Sequence, residues 1–237
     1  MTEAIIFDMD GVLIDSEPIH FEAMRALLAN HGVVYAPGHD DNFCGCTDRE
    51  VFGALSARYG LQAAEAEMAA SWIDRVVELL AGPLEPMAGV PDVLHALRAS
   101  GVRLALASSS APAIIATTLA GLGLSDAFEL TVSGHEVAHG KPAPDIFVEA
   151  ARRLDLPHEA CLVVEDSHNG LQAAIAAGIR CVTVPCPSTR GQDFTGAAVR
   201  LDSLAQLPSW MGLPPDSAVA ESAFLYRLEA EARRERA

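Results

Sequence analysis

Apolar residues follow two rhythms along this chain, and the change from one to the other divides it. Ala4-Ile5-Ile6-Phe7 is a short unbroken apolar run closed by Asp8, and it reads as a buried strand. From Ser16 to about Leu80 the rhythm is helical. Ser16 stands where a helix cap belongs, with Pro18 in the first turn. Apolar residues then recur at Ile19, Ala23, Leu27 and Leu28 until Gly32 ends the run. Residues 48–59 and 64–80 fit two more helices, and Gly82-Pro83 with Pro86 marks the return.

Beyond that point short apolar runs alternate with helical ones. Strands are expected at 102–107, 130–132, 161–164 and 181–184, and helices at 90–99, 111–122, 144–154 and 168–177. Such alternation predicts a parallel sheet covered on both faces, with functional groups just past the carboxyl ends of its strands. The expected architecture is an α/β core, residues 1–14 and 87–212, interrupted by a helical insert over 15–86. Residues 213–237 read as a charged amphipathic helical tail that packs on the core, pairs between subunits or frays.

Composition sharpens this picture. The chain has 237 residues, half of them hydrophobic and only 5% aromatic, so Leu, Val, Ile and Ala must fill the core. No apolar run approaches the ~20 residues that cross a bilayer. The N-terminus has no basic region and no cleavage pattern, so a soluble cytoplasmic protein is expected, as a monomer or small homo-oligomer. The formal charge of −16 repels nucleic acid and anionic membranes, and neither is expected as a partner. It also repels phosphorylated metabolites, so a phosphate site here needs local positive charge.

The 16 basic residues include a single lysine, Lys141, which suggests a place where a compact ammonium is needed and a guanidinium will not serve. The five cysteines, Cys44, Cys46, Cys161, Cys181 and Cys186, are read as reduced thiols. Cys44-Gly45-Cys46 lacks the further His or Cys that a zinc site requires.

The chemistry lies just past the end of each strand. Asp8-Met9-Asp10-Gly11 comes after the first, and Gly11 lets the chain leave the pleat so that both carboxylates can face one pocket. Ser108-Ser109-Ser110 comes after the second and leads into a helix start, a place that binds phosphate. Lys141-Pro142 enters another helix, and Glu165-Asp166 precedes Ser167, a candidate cap. If ionised, Asp8, Asp10, Glu165 and Asp166 carry −4 together. A divalent cation and Lys141 supply +3, and a proton on Asp10 completes the balance. An octahedral, oxygen-ligated Mg²⁺ fits this set.

These motifs together resemble the haloacid dehalogenase superfamily, on its phosphatase branch. Asp8-Met9-Asp10-Gly11-Val12, Ser108, Lys141-Pro142-Ala143-Pro144-Asp145 and Glu165-Asp166-Ser167-His168-Asn169-Gly170 carry the likeness. The resemblance implies a Rossmann-like doubly wound core with a helical cap of the kind found in β-phosphoglucomutase and phosphoglycolate phosphatase. It also implies that Asp8 attacks phosphorus, that Asp10 serves as acid and base, and that Ser108 and Lys141 hold the phosphoryl oxygens. Mg²⁺ would be held by Asp8, the Asp10 carbonyl and Asp166, with Glu165 close by. Ser109, Thr47, Arg49 and His20 are the substrate-side candidates. Arg49 is either a ligand or a solvated helix-start residue, and His20 either reports cap closure or packs within the cap.

The expected activity is hydrolysis of a small phosphorylated sugar, polyol or organic acid. A β-phosphoglucomutase is the alternative, and a non-catalytic binding protein on this fold a further one. The insert over 15–86 carries four Arg, no Lys and twelve acidic residues. That charge argues against a mutase, which must hold a second phosphate.

Overall fold

The first strand divides its residues between two cores. Ile5 and Phe7 join one buried cluster while Ala4 and Ile6 join another, the period-two split of a strand covered on both faces. The computed structural model describes residues 2–36, 48–61 and 63–213. In it the strands β1 (Ala4–Phe7), β2 (Arg103–Ser108), β3 (Leu130–Ser133), β4 (Cys161–Glu165), β5 (Arg180–Thr183) and β6 (Val199–Arg200) form one sheet. All pairings are parallel and the order is β3-β2-β1-β4-β5-β6. The chain winds outward from β1 through β2 to β3, then crosses back to β4 on the other side of β1. The crevice at that reversal is where α/β sheets bind ligands.

Helices α4 (Val90–Ala99) and α5 (Pro112–Leu122) bury Val93, Leu97, Ile114 and Leu122 against the face that carries Leu104, Leu106, Leu162 and Val164. Helices α6 (Asp145–Leu154) and α7 (His168–Ala176) bury Ile146, Phe147, Leu171 and Ala174 against Ala105, Ala107 and Val163 on the opposite face. The insert supplies α1 (Glu17–Ala29), α2 (Asp48–Tyr59) and α3 (Glu65–Leu80). It has its own small core of Met24, Leu28, Tyr35, Phe52, Leu55 and Met68. The far end of α3 is different, since Val76 and Leu80 join the sheet-face cluster and so tie the insert to the sheet.

Two elements escaped the sequence pattern. β6 is only two residues long, too short to show a period, and it is held by the Leu201 N–H donating to the Thr183 carbonyl at 2.8 Å. A final turn of helix, α8 (Leu207–Trp210), closes over α4 through Leu207. Among the described residues no helix is long and apolar enough to cross a membrane. Cys161, Cys181 and Cys186 are buried free thiols. Cys44, Cys46 and the tail from residue 214 lie outside the described residues.

Candidate active site

The register of the sheet delivers the acidic groups to one point. Phe7 pairs with both Leu106 and Val164, so Asp8, the next residue, emerges between β2 and β4. Its N–H still donates to the Val164 carbonyl at 2.9 Å. The chain then turns sharply. Gly11 has φ 79°, and a Cβ there would fall on the Asp166 carboxylate, so no other residue fits. Leu13 N–H closes back on the Met9 carbonyl at 2.8 Å, and Met9, Val12, Leu13 and Ile14 are buried in the apolar cluster. The expectation that Gly11 releases the chain from the pleat is met.

Lys141 lies at the centre. Its Nζ donates to Asp8 Oδ1 at 2.6 Å, to Glu165 Oε1 at 2.6 Å and to the Ala107 carbonyl at 3.3 Å. An ammonium has three protons, and here there are three acceptors. A planar guanidinium could not serve all three from one nitrogen, which accounts for lysine here in a chain otherwise built on arginine. Burial alone would lower its pKa, but the negative charges of Asp8 and Glu165 outweigh it and hold the group above the usual lysine value.

Glu165 is fully engaged by the protein. Besides Lys141 on Oε1, its Oε2 accepts from the Asp166 N–H at 3.0 Å, the Ser167 N–H at 3.0 Å and the Ser167 hydroxyl at 2.9 Å. A Cβ on Gly170 would collide with this carboxylate, so the first turn of α7 is shaped around it. Ser167 caps α7 as the sequence suggests, with its side chain accepting from the Gly170 N–H.

Asp8, Glu165 and Asp166 each offer an oxygen within 4.8 Å of the others, and all three are buried. Burial raises the Asp8 pKa well above its ordinary value; Lys141 opposes this, and the other carboxylates add to it. Burial and the Glu165 charge raise that of Asp166 in the same way. Lys141 cannot offset three carboxylates. The surplus negative charge and the all-oxygen donor set fit a hard divalent cation.

Asp10 stands apart from that cluster. Its Oδ1 accepts from the Ser16 hydroxyl at 2.5 Å and faces His20 Nε2 at 3.3 Å. Its Oδ2 accepts from the Ser110 hydroxyl at 2.9 Å and the Ser108 hydroxyl at 3.3 Å. Burial pushes its pKa up, but the hydrogen bond and attraction of His20 with the hydroxyls of Ser16 and Ser110 bring it down to about 2. The hydroxyls aimed at Asp10 favour its carboxylate form in this arrangement.

The structure thus gathers Asp8, Asp10, Ser108, Lys141, Glu165 and Asp166 at adjacent strand ends, though residues 8 and 166 are far apart in the chain. His20 both packs at a tilt beside Trp72, with ring centroids 5.3 Å apart, and faces Asp10. Ser109 is half-buried, with its backbone packed against Gly134, and the neighbour that reaches Asp10 is Ser110. Ser16 occupies the cap position of α1 but makes no cap hydrogen bond, since its backbone is helical (φ −92°, ψ −10°) where a cap is extended, and its hydroxyl donates to Asp10. Thr47 and the Arg49 side chain lie outside the described residues. Sequence reasoning passed over Ser110 as an acidic-site partner, although the run of three serines was a visible signal. It also passed over Thr189 and Cys186, which touch Asp166 from a distant loop and carry no local signal.

Comparison with known proteins places the fold and the family. Residues 2–178 match the haloacid dehalogenase-like hydrolase family. Protein CbbY of Rhodobacter capsulatus is 35% identical over 214 residues, covering 86% of this chain and 94% of the relative. A phosphorylated carbohydrates phosphatase of Thermotoga maritima is 32% identical, covering 75% of this chain and 82% of its own. The crystal structure of CbbY from Rhodobacter sphaeroides in complex with phosphate superposes with a TM-score of 0.81 at 32% identity, covering 87% of this chain and 96% of that one.

Proposed function

Because this chain belongs to the haloacid dehalogenase-like hydrolase family, we propose that its strand-end cluster is the site of a Mg²⁺-dependent phosphatase working through Asp8. The enzyme is a phosphatase of small phosphorylated metabolites, and a carbohydrate phosphate is the class its relatives favour. One observation carries the reading. A buried ammonium is shared by Asp8 and Glu165 beside Asp166, while a separately held carboxylate, Asp10, stands two residues further on.

The roles follow from the surroundings. The Asp8 carboxylate forms a bond to phosphorus as the bond to the leaving oxygen breaks, giving an acyl phosphate. Asp10 hands a proton to the departing alkoxide and takes one from the water that later attacks phosphorus and frees Asp8. A phosphate dianion arriving beside Asp10 favours its protonated form, which the resting arrangement does not. Lys141 and Ser108 stabilise the equatorial oxygens as charge redistributes. Asp8, Asp166 and the Asp10 carbonyl would hold Mg²⁺, which supplies charge neutralisation for the crowded anions. Glu165 already accepts four hydrogen bonds, which favours a role in fixing Lys141 over direct ligation.

His20 is proposed to contact substrate from the insert because it faces Asp10, and Ser109, Thr47 and Arg49 are proposed from their positions in the sequence. The insert, 15–86, acts as the cap over the core, 1–14 and 87–212. Arg25 and Arg75 of the insert are paired with Glu22 and Glu78 on their own helices, which favours a hydrolase over a mutase needing a second phosphate site.

The test is phosphate release with Mg²⁺ from a panel of sugar, polyol and organic-acid phosphates, with chelated enzyme as the control. Turnover of at least one panel member, lost on chelation, is expected. Folded, Mg²⁺-loaded protein that releases phosphate from none of them overturns the reading. Isomerisation of a sugar phosphate without phosphate release makes it a mutase.

A further inference from the structure

The loop after β5 reaches back across the site and grips a single carboxylate oxygen. Thr189 is 2% exposed, and its Oγ1 donates to Asp166 Oδ2 at 3.0 Å. The same Oγ1 accepts from the Cys186 N–H at 3.1 Å. A hydroxyl has one proton, and of the acceptors it can reach the Asp166 carboxylate at 3.0 Å is charged and nearer than the Cys186 sulfur at 3.4 Å or carbonyl at 3.5 Å. The Cys186 thiol, also buried, donates to the same Oδ2 at 3.2 Å. Both donors thus sit on one oxygen of Asp166, and a cation can take the other.

The loop is itself anchored. Gln192 Oε1 accepts from the His168 N–H at 2.6 Å, and His168 Nδ1 lies 2.6 Å from the Asp193 carbonyl. These bonds fix the loop to the start of α7, two residues past Asp166, so the grip on Asp166 is held from both sides. Asp166 has no other side-chain donor that would set its rotation among the contacts described, since Lys141 is committed to Asp8 and Glu165.

We propose that Thr189, assisted by Cys186, is a positioning residue that orients Asp166 for the divalent cation. Hydrogen-bonded partners behind a carboxylate ligand fix its orientation, and their loss typically costs about 10–100-fold in metal affinity. The proposal rests on the metal-dependent reading above, and the experiment separates the two.

Mg²⁺ affinity is measured by calorimetry on the full-length protein without substrate, and the Mg²⁺ dependence of phosphate release is measured alongside. The wild type binds Mg²⁺ and Asp166→Asn loses that binding. Thr189→Val weakens binding by about tenfold, and the Mg²⁺ concentration for half-maximal turnover rises more than kcat falls. Thr189→Ser, which keeps the hydroxyl, restores affinity. Cys186→Ala has a smaller effect because a thiol is a weak donor. Gln192→Ala, which loosens the loop that carries Thr189 without touching Asp166, weakens Mg²⁺ binding by less than Thr189→Val does. Wild-type affinity in folded Thr189→Val overturns the proposal and leaves the phosphatase reading standing, as does equal weakening in Gln192→Ala. If Thr189→Val does not fold, failure of Thr189→Ser to keep wild-type affinity overturns it. A wild type that binds no Mg²⁺ yet releases phosphate removes the metal reading and this one with it.

Discussion

Lys141 and Glu165 form an ion pair of 2.6 Å in which each side chain is only 1% exposed. Taking two charges this far from water costs several kcal/mol, and the pair persists because all three ammonium protons have acceptors and the carboxylate accepts three more hydrogen bonds. Asp8 shares the same ammonium at 2.6 Å, so the position and charge of the proposed nucleophile depend on a pair formed by two other elements.

Lys141→Met leaves two buried carboxylates without a cation and is expected to destabilise the protein by about 3–5 kcal/mol in urea unfolding. Lys141→Arg keeps the charge but not the geometry, and its bulk meets the Phe147 ring that lies 5.1 Å from Nζ. It is expected to lose about 10²–10³-fold in kcat, as a misplaced electrostatic donor does. Near-normal turnover in folded Lys141→Arg refutes the argument from the single lysine.

Asp8→Asn removes the attacking oxygen anion while nearly preserving shape. Turnover is expected to fall far more than the ~10²–10⁴ that loss of acid–base help alone brings. Because one of several crowded carboxylates is neutralised, stability without metal changes little. Residual turnover with an acid-stable phosphoenzyme at another residue points to a different nucleophile.

Asp10→Asn is expected to lower kcat/KM for an alkyl phosphate by about 10²–10⁴-fold. The loss is smaller for p-nitrophenyl phosphate, whose leaving group departs without a proton. Measuring kcat/KM confines the comparison to formation of the phosphoenzyme. Equal losses for both substrates contradict the acid role.

Gly170→Ala drives a methyl into the Glu165 carboxylate. The expected cost is about 1–3 kcal/mol, the usual range for overpacking, with catalysis lost as Glu165 and Lys141 shift together. Gly32→Ala is the comparison, since nothing lies within 4 Å of a Cβ there and only its positive φ is strained. Urea midpoints and turnover of the two variants should therefore differ in kind, with activity affected only at Gly170.

Arg153 bridges Glu149 on α6 and Glu136 after β3, both at 2.7 Å. Hydrogen bonds from Arg152 and Arg153 hold Glu149 down to about 2. A carboxylate lowered on folding stabilises above its unfolded value and loses that contribution as pH falls through the folded one. Arg153→Met is therefore expected to be less stable than wild type near neutral pH, with the gap narrowing between about pH 4.5 and pH 2. The gain is modest because the groups are part-exposed. Thermal unfolding across that range measures it.

The sequence showed most of the sheet because period and punctuation are local. Ala4–Phe7, Cys161–Glu165 and the helices between them carry their pattern within a few residues. It showed the acidic site because Asp8, Ser108, Lys141 and Asp166 each sit just after a strand or before a helix, where a parallel sheet must gather them. It could not show where hydroxyls point. Ser16 precedes α1 yet does not cap it, because its backbone is already helical rather than extended, and its hydroxyl donates to Asp10. The contact of Thr189 with Asp166 depends on the path of a loop returning from β5, which no local spacing encodes. β6 owes its pairing to β5 alone and has no apolar period of its own.

β1 is one of the two central strands of the sheet, and its two neighbours come from distant parts of the chain. Its neighbours, β2 and β4, begin at Arg103 and Cys161. During vectorial synthesis β1 must therefore wait, unpaired on one edge, until Cys161–Glu165 has been made. The Asp8 carboxylate likewise has no complete Lys141–Glu165 pair beside it until that strand emerges.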